Sequence, residues 1–355
     1  YQDKTELKNV EGQELFYMLS KAKLNSIYGM TVQDICKRNI LYENDQFKFD
    51  DELSDLELYN KKTTDMLMSV PLAYSQSNGY GYKWDNVGAM VNRGVELNVN
   101  ATVLQIRDFA WNINANVGYN HNRLTELYNG VDEYETSNTS TKLVVGRPVG
   151  EFYINRYAGV NPANGDALWY DKDGNITNEL RDEDKVMVGK SYHAPWQGGF
   201  GTSLSWKGLS LSILMTSSVG NDIYNASRIE MEGMYSGANQ VKSVLRRWRT
   251  PGQITDIPKG GELDNLKAST RWVEDGSYLK IKNITLSYNI THPALKKANI
   301  SRIQPYITLD NMITFTKYSG YDPEMSQYTS ATSMGVDWGT YPCVKTVLFG
   351  VNVEF

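Results

Sequence analysis

The feature that most constrains this chain is a strict two-residue alternation sustained over unusually long runs. Across residues 109–120 every odd position is apolar or aromatic: Phe109, Trp111, Ile113, Ala115, Val117 and Tyr119. The even positions are Ala110, Asn112, Asn114, Asn116, Gly118 and Asn120. Side chains on a strand point alternately to opposite faces, so such a run offers one greasy face and one polar face. Residues 95–103 repeat the pattern, with Val95, Leu97, Val99, Ala101 and Val103 against Glu96, Asn98, Asn100 and Thr102. Leu209, Leu211, Ile213 and Met215 alternate with Ser210, Ser212 and Leu214. Ile307, Leu309, Ile313 and Phe315 continue the theme, with Asn311 as the exception. In residues 279–288 the phase slips at Asn283, as an extra residue in a bulge would cause. The alternating runs extend for about 9 to 13 residues. Strands of soluble domains usually extend about 5 to 6, and a tilted strand crossing a bilayer needs about 9 to 11.

A mean hydropathy of −0.48 would ordinarily indicate a soluble protein. Transmembrane β-barrels are the exception, because polar lumen residues dilute the apolar ones on every strand. With 41% hydrophobic and 22% charged residues, the chain is too apolar and too evenly charged to be disordered. The polar faces carry Asn, Ser, Thr, Lys and Glu, which suits a wet lumen. The 24 tyrosines and 8 tryptophans suit aromatic girdles at two membrane interfaces. A soluble β sandwich or barrel would show the same alternation and remains an alternative at this level.

Other classes are excluded or disfavoured. No stretch approaches the ~18 apolar residues of a transmembrane helix. The 36 basic and 41 acidic side chains give a net charge of −5, which argues against gripping nucleic-acid phosphates. Cys36 and Cys343 are too far apart in sequence for a metal knuckle, and His121, His193 and His292 are isolated, so no metal or other cofactor is expected. Nowhere does a histidine lie near a serine or cysteine motif, so no enzymatic constellation is expected either. The first residues carry neither a basic stretch nor an apolar one, so no signal peptide is read there.

The character of the sequence changes near residue 55. Residues 1–55 read as helix and charged loop, with residues 47–55 as an acidic linker, and 56–355 read as long strands joined by turns and loops. Residues 161–166 and 171–175 are tight-turn sequences with glycine where positive φ is needed. The second also has the start of a calcium-loop pattern, but its glycine comes too early and the closing Glu is replaced by Asp182, which favours a turn. Residues 225–271 form a long connection carrying Arg246, Arg247, Trp248 and Arg249, read as a solvated charge cluster or a contact surface. Residues 132–140 read as a flexible loop.

Several segments carry a resemblance. Residues 59–72 (YNKKTTDMLMSVPL) and 86–97 (NVGAMVNRGVEL) are similar to strand signatures of the SusC/RagA family of TonB-linked outer-membrane transporters. So are residues 145–153 (VGRPVGEFY), 157–160 (YAGV), 275–286 (DGSYLKIKNITL) and 314–324 (TFTKYSGYDPE). Tyr341-Pro342 and the final FGVNVEF complete the set. In order and spacing these segments cover residues 58–355.

The resemblance implies a mostly β fold: a partial transmembrane antiparallel β-barrel, about ten long strands of a 22-stranded plugged type, preceded by a short α-helical segment. It implies an outer-membrane location and uptake of an oligosaccharide or peptide. The implied partners are a SusD-like surface lipoprotein as lid, the TonB complex, the barrel-insertion machinery and the lipid bilayer. Phe349, Val351, Val353 and Phe355 would form the C-terminal insertion signal. The plug and TonB box have no counterpart in this sequence, so energised uptake by these residues alone is not expected.

Residues 11–29 read as an amphipathic helix. Lys21, Asn25 and Tyr28 share one face at 100° per residue, and Gly29 suits the C-terminal stop. The order K-x-x-x-N-S-x-Y-G resembles motif B of phage-type family B DNA polymerases. That resemblance implies nucleotide contacts for Lys21, Asn25, Tyr28 and Gly29. The carboxylates needed to hold two Mg²⁺ do not appear, so no polymerase chemistry is expected. A junction of two unrelated genes near residue 55 would account for both resemblances; an ordinary amphipathic helix with a wet face is the alternative for the first segment.

Overall fold

The computed structural model describes residues 40–43, 46–49, 55–71, 82–86, 88–135, 140–235, 237, 239–297, 299–324, 326–327 and 334–355. The principal element is an antiparallel sheet of eight strands: β1 (Asp55–Thr63), β2 (Ala89–Ile106), β3 (Phe109–Glu126), β4 (Trp196–Trp206), β5 (Leu209–Val219), β6 (Tyr278–Tyr288), β7 (Arg302–Thr316) and β8 (Thr346–Glu354). Each strand pairs with its chain neighbours, giving a continuous meander whose order in space is the order in sequence. Eight long strands, rather than about ten, make up this sheet among the described residues.

The alternation seen in the sequence is converted into rows by the register. Leu104, Trp111, Leu204, Leu211, Leu286, Ile307 and Phe349 are successive cross-strand partners on one face. Thr102, Asn112, Ser203, Ser212, Thr285 and Thr308 form a row on the other. The apolar rows are not packed against a second sheet. Trp206 is 56% exposed, Phe349 73% and Val351 61%. That exposure removes the closed sandwich, whose inner faces must interdigitate.

The phase slip expected at Asn283 is present. Pairing of β6 with both neighbours jumps by one residue between Ile281 and Asn283. Lys282 is the extra residue, and β7 compensates around Asn311, which has a positive φ of 53°. This bulge keeps Ile281, Ile284 and Leu286 on the apolar face and Lys280, Asn283 and Thr285 on the polar one.

The two ends of the sheet differ. At one end β2–β3 and β4–β5 are joined by the two-residue turns Arg107-Asp108 and Lys207-Gly208, with φ of 50° at Arg107 and 89° at Gly208. At the other end lie the long connections 64–88, 127–195, 220–277 and 317–345. Described residues of the last three form a body with its own core: Phe152, Ile154, Tyr192, Tyr224, Ala226, Trp272, Val273 and Val336 are buried together. A second cluster, Leu124, Leu127, Leu143 and Val149, joins the upper part of β3 to that body. The buried core thus sits at one end of the sheet rather than on either face.

The expected turns at 161–166 and 171–175 are formed, with φ of 79° at Gly165 and 92° at Gly174. In the segment read as a flexible loop, Glu133–Glu135 instead pairs with Lys142–Val144, and Lys142 Nζ lies 2.8 Å from a Glu133 carboxylate oxygen. The alternating charges at 133, 135 and 142 had masked a short hairpin. Among the described residues no helix is long and apolar enough to cross a membrane, which leaves strand crossing untouched.

Candidate functional site

Two girdles delimit the apolar face. Near the short turns lie Phe109, Trp206 and Tyr288, and toward the long connections lie Tyr119 and Trp196, whose ring centres are 4.8 Å apart with the planes tilted by 48°. Beyond Tyr119 the same face turns polar, with His121 opposite Arg93 and Arg123 opposite Val91. Ten residues separate Phe109 from Tyr119. At about 3.3 Å per residue and a tilt near 40°, that span rises roughly 25 Å, the height of the apolar band of an outer-membrane barrel. The strands β2 and β3 each have 18 residues, longer than a bilayer crossing needs, because they continue upward beneath the loop body.

The opposite face is the inner wall. Side chains there are amides and hydroxyls in register: Asn98 with Asn116, Asn100 with Asn114, Thr102 with Asn112. Thr102 Oγ1 donates to Asn112 Oδ1 at 2.8 Å. Higher up, Tyr59 donates to Asn120 Oδ1 at 2.9 Å, and Asn120 and Asn122 both donate to Asn92 Oδ1 at 3.2 and 2.8 Å. This ladder borders a cavity of about 350 Å³ between wall and loop body, also lined by Glu96, His193, Gln197 and Asp222.

Two lysines on β6 face the same interior. Lys280 Nζ lies 2.8 and 3.0 Å from the Asp322 carboxylate oxygens and 2.7 Å from Glu324, and Lys282 Nζ lies 2.6 Å from Glu324. The Lys280 side chain is 2% exposed and Asp322 6%. Burial alone would raise the Asp322 carboxyl, but hydrogen bonds from Lys280 and from the backbone of Glu324 and Cys343 hold it below the ordinary carboxylate value. Glu324 is held low in the same way by both lysines. Asp322, Glu324 and Cys343 have ligand atoms within 4.8 Å of one another. The two ammonium groups already neutralise the carboxylates, so the group reads as an ion-pair anchor rather than a metal centre.

A second network ties loop to loop. Arg228 bonds Glu274 at 2.8 Å and Glu232 at 2.9 Å, and Glu274 accepts from the Ser319 backbone N–H and hydroxyl, each at 2.8 Å. Tyr318 Oη donates to Asp337 at 2.6 Å; burial first, then that carboxylate, raises the phenol well above its usual value.

Of the residues singled out in sequence, Lys21, Asn25, Tyr28 and Gly29 lie outside the described residues. Phe349, Val351, Val353 and Phe355 lie at the end of the chain, the first three on the outward face of β8 opposite Ile307, Pro305 and Ile303, and all are exposed. The arginine cluster is divided: Arg246 pairs Asp256 at 2.9 Å, while Trp248 donates to the Pro162 carbonyl and covers Gly165. The tryptophan is therefore a structural anchor for residues 225–271. The Lys280–Asp322–Glu324 anchor was not foreseen as a site. Its signal was present in the alternating K-I-K on β6 and D-P-E on the connection after β7, but no pattern in sequence pairs the two.

No protein-family model matches the chain. The TonB-dependent receptor P3 of Formosa agariphila is 27% identical over 379 aligned residues, spanning 94% of this chain and 37% of that protein. The TonB-dependent receptor SusC of Bacteroides thetaiotaomicron is 26% identical over 319, spanning 84% of this chain and 29% of that protein. Among solved structures, the RagAB peptide transporter superposes with a TM-score of 0.76 at 31% identity, covering 85% of this chain and 33% of that one. The RagAB peptide importer in its open-open state gives 0.74 and 30%, covering 85% and 32%. The chain thus spans about a third of the length of the relatives it matches. Its sheet resembles part of a TonB-dependent receptor barrel of SusC/RagA type. The similarity to P3 covers more of the chain than residues 58–355 make up, so it reaches into the first segment. Nothing among these relatives supports a polymerase resemblance there.

Proposed function

We propose that this chain forms wall and surface loops of an outer-membrane, TonB-dependent importer for oligosaccharides or peptides. The observation that carries the reading is the exposed apolar belt of roughly 25 Å, backed across the same strands by a polar wall rich in amides and hydroxyls. A soluble protein would pay for several exposed apolar rows in solubility, whereas lipid stabilises them. In this reading the short turns face the periplasm and the loop body faces outward. A SusD-like surface lipoprotein would meet the loop body, and the TonB complex would act through parts of the importer other than the described residues. Phe349, Val351, Val353 and Phe355 would be read by the barrel-insertion machinery. The residues act by binding and passage rather than by catalysis.

The test is membrane insertion. The importer carrying this chain, refolded into phosphatidylcholine vesicles, should migrate as a compact species on unheated gels and leave residues 109–119 and 204–215 protected from protease. Monodisperse folding in buffer without detergent or lipid, with the apolar rows shielded, would overturn the reading.

A further inference from the structure

Above the upper aromatic girdle the outward face of the sheet changes from apolar to cationic. Register puts Asn60, Arg93 and His121 in one row on that face, and Lys62, Val91 and Arg123 in the next. Directly below them the same face carries Leu58, Val95 and Tyr119. The nearby carboxylates of these strands, Glu57 and Glu96, are cross-strand partners on the inner face instead. Between the two rows and the turn at Gly146 lies a cavity of about 260 Å³, whose lining includes Arg93, His121, Arg123 and Thr125 and no carboxylate. Arg93 donates its Nε–H to Asn60 Oδ1 at 3.0 Å, a neutral partner that orients the guanidinium without cancelling its charge. Among the described residues, Arg123 and Lys62 make neither a hydrogen bond nor an ion pair. The Arg123 guanidinium lies over Gly146, where a Cβ would stand 3.6 Å from Nη2.

Height and chemistry together select an occupant. At about 3.3 Å per residue and a tilt near 40°, the Arg93–His121 row stands roughly 5 Å above the girdle and the Arg123 row roughly 10 Å. The headgroup layer on each side of a bilayer is about 5–8 Å deep, and long arginine side chains reach through it. A guanidinium fork matches phosphate oxygens, two N–H groups to two oxygens. A zwitterionic headgroup would also bring an ammonium, and the cavity has no carboxylate to pair with it. The apolar row immediately below offers acyl chains a surface that a free anion would not use. We infer that this cavity holds the phosphate of an anionic lipid in the leaflet next to the loop body, with Arg93 and Arg123 gripping the headgroup and Leu58, Val95 and Tyr119 against its chains.

This inference rests on the importer reading, and its test separates the two. The full importer in detergent is titrated with dioleoylphosphatidic acid, dioleoylphosphatidylcholine or inorganic phosphate, and bound lipid is counted by native mass spectrometry. The variants are Arg93→Gln with Arg123→Gln, and Arg123→Gln alone, which removes an exposed, unpaired side chain and should fold in any case. Lys207→Gln, at the opposite end of the sheet, is the control, and gel migration of unheated samples reports folding. Phosphatidic acid should bind wild type and the control at least tenfold more tightly than phosphatidylcholine, and bind folded variants at least fivefold more weakly than wild type. The inference is overturned if the two lipids bind wild type equally, if folded variants bind phosphatidic acid unchanged, if Lys207→Gln loses as much, or if equimolar inorganic phosphate displaces the lipid. Failure to insert into vesicles would remove the importer reading and this inference with it, whereas loss of lipid selectivity in an importer that inserts removes this inference alone.

Discussion

Lys280 on the barrel wall and Asp322 on the last long connection meet at 2.8 Å with both side chains almost lost from solvent. Lys280, with Lys282, pins Asp322 and Glu324, on the connection that follows β7, to the inside of the sheet. The carboxylate is also held by the backbone N–H groups of Glu324 and Cys343, at 3.1 and 3.2 Å. Every lone pair thus has a donor, which is the condition under which a buried ion pair is tolerated.

Lys280→Met should break this anchor and leave Asp322 buried without its counter-ion. Loss of one partner of a buried pair costs about 3–5 kcal/mol. Limited proteolysis of the folded importer should then cut within residues 317–345 much faster than in wild type. Adding Asp322→Leu should restore part of the protection, because the uncompensated charge is gone.

The pH response of the anchor follows from the low carboxyls of Asp322 and Glu324. A group whose folded value lies below its unfolded value contributes stability above the unfolded value and loses it as pH falls through the folded one. The ordinary values are 3.8 and 4.5. Protease protection of the loop should therefore be flat from neutral pH to about pH 5 and fall only below the ordinary carboxylate range. A transition near pH 6 would contradict the assigned ion pairs.

Position along β5 should decide the effect of a charge. Leu211→Arg places a cation on the lipid face and should cost about 2–4 kcal/mol of folding free energy in lipid if it lies near the midplane. Ser212→Arg, one residue away, faces the lumen and should be nearly neutral for folding. Urea titration of both variants in vesicles measures the difference; equal costs would mean that the two faces are not distinct.

Deleting Lys282 should be more damaging than replacing it. Without the extra residue the phase of β6 no longer slips, and either Asn283, Thr285 and Ser287 or Lys280 must turn toward lipid. We expect the deletion to abolish insertion and Lys282→Ala to retain it, read from gel migration of unheated samples.

Much of the sheet was legible in the sequence. The alternation in residues 95–103, 109–120 and 209–215 has a period of two whatever the surroundings, so strand identity and the composition of each face could be read directly. The bulge at Asn283 was legible for the same reason, because an extra residue shifts the phase. The hairpin of Glu133–Glu135 with Lys142–Val144 was not, since its faces are set by ion pairs and an aromatic contact rather than by hydropathy.

What the sequence by itself determined was local and periodic: long strands, tight turns where glycine supplies positive φ, and one face fit for hydrocarbon. The tertiary structure decided what meets across the sheet. Register brought Asn114 over Gly201, and the path of the chain after β7 carried Asp322 back to Lys280, 42 residues away. Such contacts depend on chain closure over long sequence separations, and nothing in the periodicity of either segment encodes its partner.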